Sequence, residues 1–150
     1  MTERKTYIVI VATLALVIIG LFLMYREVEA PGTNDTGAHS AAAKANLIVA
    51  DFPLSGSRIA SPVTITGKAH GNWYFEASFP IKIVNESGAI LDQRPAQAQG
   101  EWMTSEFVPF SVRLSFPAQP TGSKGKIILE KDNPSGLPEY DDYLEIPITF

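Results

Sequence analysis

Residues 107–116 read FVPFSVRLSF. Val108, Phe110, Val112, Leu114 and Phe116 occupy alternate positions, with Ser111, Arg113 and Ser115 between them. Successive side chains of a strand point to opposite faces, so this period of two predicts a strand with one buried and one solvated face. A helix, at 3.6 residues per turn, would scatter the same apolar set around its circumference. One-sided burial of this kind is common in antiparallel sheets, and it sets the expectation for the sequence on either side.

Upstream, residues 74–84 place Phe75, Ala77, Phe79, Ile81 and Ile83 on one face and Glu76, Ser78 and Lys82 on the other. Pro80 interrupts the run; it cannot donate a ladder hydrogen bond, which predicts an edge position, a bulge or a bend. Asn85-Glu86-Ser87-Gly88 supplies a turn, and residues 89–94 read as the return strand of a hairpin. Earlier runs at 47–52 and 62–67 are separated by Pro53 and Gly56, and a turn is expected at His70-Gly71-Asn72. Downstream, 126–130 is a short run, and Leu144, Ile146, Ile148 and Phe150 alternate with Glu145, Pro147 and Thr149. Seven such runs across 47–150 predict an all-β domain, a small antiparallel β-sandwich of immunoglobulin-like form. The sequence contains no Cys, so the two sheets must be held by apolar burial, each large side chain contributing about 1.5–3 kcal/mol.

The alternation stops upstream of residue 47. Residues 26–46 contain VEAPGTNDTGAHSAAAKAN, rich in Ala, Gly, Thr, Ser and Asn and without a sustained period, which reads as a flexible linker. A flexible chain spanning 28–46 has a root-mean-square reach of about 24 Å. The SAAAKAN stretch has the composition for one helical turn, and His39 is expected to be a solvated bystander.

Residues 7–25, YIVIVATLALVIIGLFLMY, carry no charge and would span roughly 28 Å as a helix, close to the hydrocarbon core of a bilayer. Arg4 and Lys5 precede this segment, Arg26 closes it, and Tyr7 and Tyr25 stand where aromatic rings favour the headgroups. It is expected to be a transmembrane helix embedded in the lipid bilayer, with residues 1–6 as a short cytoplasmic tail. A cleavable signal peptide is the competing reading, with Val28 and Ala30 at the required spacing. The apolar run is long for that, and Pro31 would follow the cut. The expected location is therefore the cell membrane, single-pass, with domain 47–150 extracytoplasmic.

The acidic balance, 12 Lys and Arg against 16 Asp and Glu, argues against a nucleic-acid partner, whose footprint would be a basic face. Without Cys, thiolate zinc sites, cysteine nucleophiles and lipidated cysteines are excluded. His70 is the only His inside 47–150, and no G-x-S-x-G elbow, H-E-x-x-H helix or glycine-rich phosphate loop occurs. The expectation is a protein that is not an enzyme.

Two stretches carry residue types that could bind a ligand. Asp132-Asn133-Pro134-Ser135-Gly136-Leu137-Pro138-Glu139-Tyr140-Asp141-Asp142 crowds oxygen-bearing side chains into one loop. It reads as a structured turn; its alternative is a calcium site with Asp132, Asp141 and Asp142 as ligands, although the EF-hand order is absent. No other cofactor is expected. Trp102 is expected to plug an end of the sandwich. For Trp73 two placements stand, a plug or a rim position after the turn at Gly71-Asn72, where the ring would be a candidate binding residue.

The turn from Pro53 to Gly56, Ile59-Ala60-Ser61-Pro62-Val63, Gly67-Lys68-Ala69, Phe75-Glu76-Ala77-Ser78-Phe79 and Gly100-Glu101-Trp102, in this order, resemble the Gmad2 family. That family is the immunoglobulin-like domain of bacterial spore germination proteins, and the similarity runs through 47–150. The resemblance implies an immunoglobulin-like sandwich in a bacterial cell-envelope protein and brings no catalytic residues with it. Taken together, the sequence predicts a membrane-anchored binding or structural module whose partner is another envelope protein or polymer. The alternative is an accessory subunit recognised through its transmembrane helix, with the sandwich as spacer.

Overall fold

The structure, a computed structural model, describes residues 39–150. The segment predicted to cross the membrane, 7–25, and the linker as far as residue 38 lie outside the described residues. Within 39–150, no helix is long and apolar enough to cross a membrane.

The strands are β1 (Ile48–Phe52), β2 (Val63–His70), β3 (Ser78–Asn85), β4 (Ile90–Ala98), β5 (Phe107–Leu114), β6 (Lys124–Glu130) and β7 (Tyr143–Thr149). All pair antiparallel, in the order β1-β2-β5-β4-β3-β6-β7. The expected seven strands and their buried faces are present: in β5, Val108, Phe110, Val112 and Leu114 are buried.

The two sheets expected of a sandwich are instead one laced sheet. β4 pairs along most of its length with β3, then reaches β5 through only Gln97↔Ser111 and Ala98↔Phe110. At the other edge, the chain after β1 runs beside β7: Gly56 N–H donates to Pro147 O, Ile59 N–H to Thr149 O, and Thr149 N–H to Ser57 O. The halves β1-β2-β5 and β4-β3-β6-β7 therefore face each other and are stitched at both sides, close to a barrel. The arrangement is consistent with an immunoglobulin-like fold. Phe79 of β3 and Phe110 of β5 meet edge to face across the interior at 4.9 Å, within one continuous apolar core.

β3 is not an edge strand, which removes one of the three alternatives read from Pro80, the others being a bulge and a bend. Pro80 stands opposite Pro95 of β4, and pairing with β6 begins one residue later, at Ile81. Opposed residues in a hydrogen-bonded pair exchange two N–H donors, which two prolines cannot supply, so this is a non-hydrogen-bonded pair that needs neither. β3 also starts at Ser78 rather than near Tyr74, because Glu76 and Ala77 have φ of 49° and 62° and turn the chain there.

The linker expectation also needs correction at its end. Helix α1 (Ala41–Lys44) is the anticipated turn, with the Ser40 hydroxyl accepting from Ala43 N–H at its start. Residues 39–46 are nonetheless docked on the domain. The His39 ring stacks on Tyr143 at 3.8 Å, Glu145 N–H donates to His39 O, and Lys44 Nζ reaches Asp142 Oδ1 at 2.5 Å. His39 is thus part of the fold, held by a residue 104 positions away that local composition could not reveal.

Candidate functional site

The register places three connections at one end of the sandwich. β2 ends at His70 opposite the start of β5, β3 begins beside the end of β4, and β6 ends beside the start of β7. Loops 71–77, 99–106 and 131–142 consequently share this end, and the chain enters β1 here, with His70 N–H donating to Leu47 O.

The first loop opens with a 3-10 turn, Gly71–Trp73. A Cβ on Gly71 would lie 2.0 Å from Thr104 O and 2.2 Å from Trp102 O, so only glycine lets the first two loops close on each other. Trp73 is 1% exposed, which corrects its candidacy as a binding residue: it plugs the sandwich beneath the loops. Among the described residues its Nε1 is the buried side-chain atom without a hydrogen-bond partner. Tyr74 donates its hydroxyl to Val108 O at 2.7 Å, and burial, opposed by the backbone of Ala69, pushes its pKa up to about 12. Phe75 and Ser78 then exchange backbone hydrogen bonds around Glu76 and Ala77. This tight two-residue turn leaves Phe75 42% exposed, although alternation assigned it to the core.

In the second loop Trp102 packs partly buried against the core, as expected of a plug, while Met103 beside it is 74% exposed. Met103 N–H donates to Glu101 Oε1 at 3.1 Å.

The third loop is joined to the first by Asp132 N–H donating to Trp73 O. Its own side chains fold it: Asn133 Nδ2 donates to Leu137 O and to Asp141 Oδ1, and Ser135 Oγ donates to Asn133 Oδ1 at 2.5 Å. A 3-10 turn, Pro138–Tyr140, follows, and Leu137 and Tyr140 are left 48% and 54% exposed.

The calcium candidates Asp132, Asp141 and Asp142 line one shallow depression of about 420 Å³ with Pro80, Glu130 and Tyr143. Their oxygens are used separately: Asp141 accepts from Asn133, and Asp142 from Lys44 and Tyr143 N–H. Burial, and then the nearby Glu76 carboxylate, holds the Asp132 carboxyl above its ordinary pKa. Among the described residues no three His, Asp or Glu side chains converge as metal ligands. Within the loop, the Asn133, Ser135 and Asp141 side chains form the hydrogen bonds expected of a structured turn.

Charge separates this end from the rest. Glu76 lies in the first loop and Glu101 and Glu106 in the second; the third adds Asp132, Glu139, Asp141 and Asp142 against Lys131 alone. At the opposite end, loops 53–62, 86–89 and 115–123 contain only Arg58 and Glu86 as charged residues.

A comparison with protein families matches residues 47–136 to Gmad2, the immunoglobulin-like domain of bacterial spore germination. The chain belongs to the Gmad2 family. The match begins one residue before β1 and stops inside the third loop, while the Gmad2 fold of this chain is completed by β7, paired along its whole length with β6. No curated protein matches the chain.

Proposed function

We propose that this Gmad2 chain is a membrane-anchored, extracytoplasmic module of a bacterial cell envelope that works by binding another envelope component and not by catalysis. The apolar segment 7–25 supplies the anchor, and residues 26–38 supply a tether of about 20 Å root-mean-square reach. The observation that carries the reading is the docking of residues 39–46. The His39–Tyr143 stack and the Lys44–Asp142 pair receive the chain at the same end as the three clustered loops. The chain therefore enters the folded domain beside the loop cluster, and loops displayed on a rigid scaffold are the surface a binding module offers a partner.

The test is a pair of reporter fusions to the C-terminus of the full chain, alkaline phosphatase and a fluorescent protein that matures only in the cytosol, with alkaline carbonate extraction of the membranes. Active phosphatase, a dark fluorescent fusion and retention in the pellet are expected. A fluorescent fusion, or release of uncleaved chain into the carbonate supernatant, overturns the reading.

A further inference from the structure

Exposed apolar side chains occur at both ends of the sandwich, so apolarity alone does not single out a surface. Phe52, Leu54 and Ile90 are 48%, 63% and 54% exposed towards the end remote from the chain entry. What distinguishes the other end is the combination. Phe75, Met103, Leu137 and Tyr140 come from all three of its loops. The loops 71–77, 99–106 and 131–142 that carry them hold seven acidic residues and one basic residue, and the docked Lys44 pairs with one of the seven, Asp142. The loops are fixed to one another by the Asp132–Trp73 backbone bond and the closure at Gly71, so the four apolar groups are displayed on a preformed surface. Exposed apolar groups on mutually fixed loops of predominantly negative charge describe a docking site, with the charge selecting the sign of the partner.

We infer that this three-loop end docks a Lys- or Arg-rich segment of another protein, one that also carries apolar side chains to meet Phe75, Met103, Leu137 and Tyr140. The charge of the loops excludes anionic headgroups and acidic polymers as the preferred occupant, because like charges brought together are repelled. This rests on the binding-module reading and adds to it the surface and the chemistry of the partner.

The test uses the full chain in its native envelope. A photo-crosslinking benzoylphenylalanine replaces Phe75, Met103, Leu137 or Tyr140 in turn, with Leu54 and Ile90 as control positions. The expected result is a common adduct from the loop-end positions, absent from the controls, whose linked peptide carries net positive charge. The double substitution Glu106→Lys/Glu139→Lys should lower the adduct yield about tenfold or more. Neither carboxylate belongs to the hydrogen bonds that shape the loops, so thermal unfolding should be preserved. Met103→Ser/Leu137→Ser should lower the yield as well, again with unfolding unchanged. Adducts to lipid alone, equal yields from Leu54 and Ile90, a linked peptide without net positive charge, or indifference to the double charge reversal would each overturn the inference. The reporter fusions separate the two failures: an extracytoplasmic chain that captures no basic segment defeats this inference and leaves the anchored reading standing.

Discussion

The two ends of the sandwich each consist of three connections, but the connections are held in different ways. At the end remote from the chain entry they are sewn mainly to β7 and to residue 150, with Gly56 and Ile59 donating to β7 and Gly122 N–H to Phe150 O, while Phe116 N–H to Ser61 Oγ joins two of the loops. These loops complete the sheet, and they are nearly free of charge. At the entry end the loops bond to each other and to themselves, through Trp73 O, Asn133 and the Gly71 contact. Glu76, Glu101, Glu106, Glu139 and Asp141, with the apolar Phe75, Met103, Leu137 and Tyr140, are left to solvent. One end closes the fold; the other is a surface built on top of a closed fold.

The largest effect is expected at the floor beneath the entry end. Phe79 is fully buried between Tyr74 and Phe110, with ring centroids 5.1 and 4.9 Å away. Phe79→Ala should lower the unfolding free energy by about 3–5 kcal/mol in urea denaturation, the usual cost of such a cavity. Phe116→Ala, at the remote end where Phe116 meets Phe150 at 5.5 Å and is 8% exposed, should fall at the lower limit of that range. Equal losses would mean that both ends rest on equivalent cores.

Next in size is the closure of the loops. Gly71→Ala drives a methyl group into two backbone oxygens that cannot swing aside, and a loss of about 3 kcal/mol is expected. Gly122→Ala in the remote loops has open space around it and only a φ of +81° against it, so about 1 kcal/mol is expected there. Urea titration of the two variants side by side measures the difference, and similar losses would show that the entry loops do not depend on contact with one another.

Ala77 offers a change in the opposite direction. Its φ of 62° is one that glycine adopts more easily, so Ala77→Gly should stabilise the chain by about 1 kcal/mol, a rise of about 4 °C in Tm. A fall in Tm would show that the turn at Glu76 and Ala77 is not strained in this way.

The smallest effect is electrostatic and depends on pH. The folded state raises the Asp132 carboxyl, first by desolvation and then by Glu76, so folding favours the protonated form. That contribution is fully present below the unfolded carboxylate value and is lost as pH rises through the folded value. At neutral pH the charged group opposes folding, and Asp132→Asn should raise Tm by about 2 °C or less. Near pH 3 the two proteins should melt together. A variant that melts lower at neutral pH would indicate that the Asp132 charge has a favourable partner.

Sequence by itself determined the strand content of this Gmad2 domain, because alternation is a property of neighbouring residues and burial on one face follows from it. The runs around Phe110, Ile127 and Ile146 are legible in this way, and so are the turns at Gly71 and Asn85 and the helical turn before β1. Tertiary structure decided everything that depends on residues far apart. It paired Pro80 with Pro95 and so made β3 an interior strand, and it laced two expected sheets into one through Gln97 and Ala98. It drew His39 and Lys44 out of an apparent tether onto Tyr143 and Asp142, buried Trp73, and turned Phe75 outward. The acidic loops were visible in the sequence only as three separated stretches. Their convergence comes from antiparallel pairing, which returns every second connection to the same end and thereby gathers charges that are 66 positions apart, from Glu76 to Asp142, onto one surface.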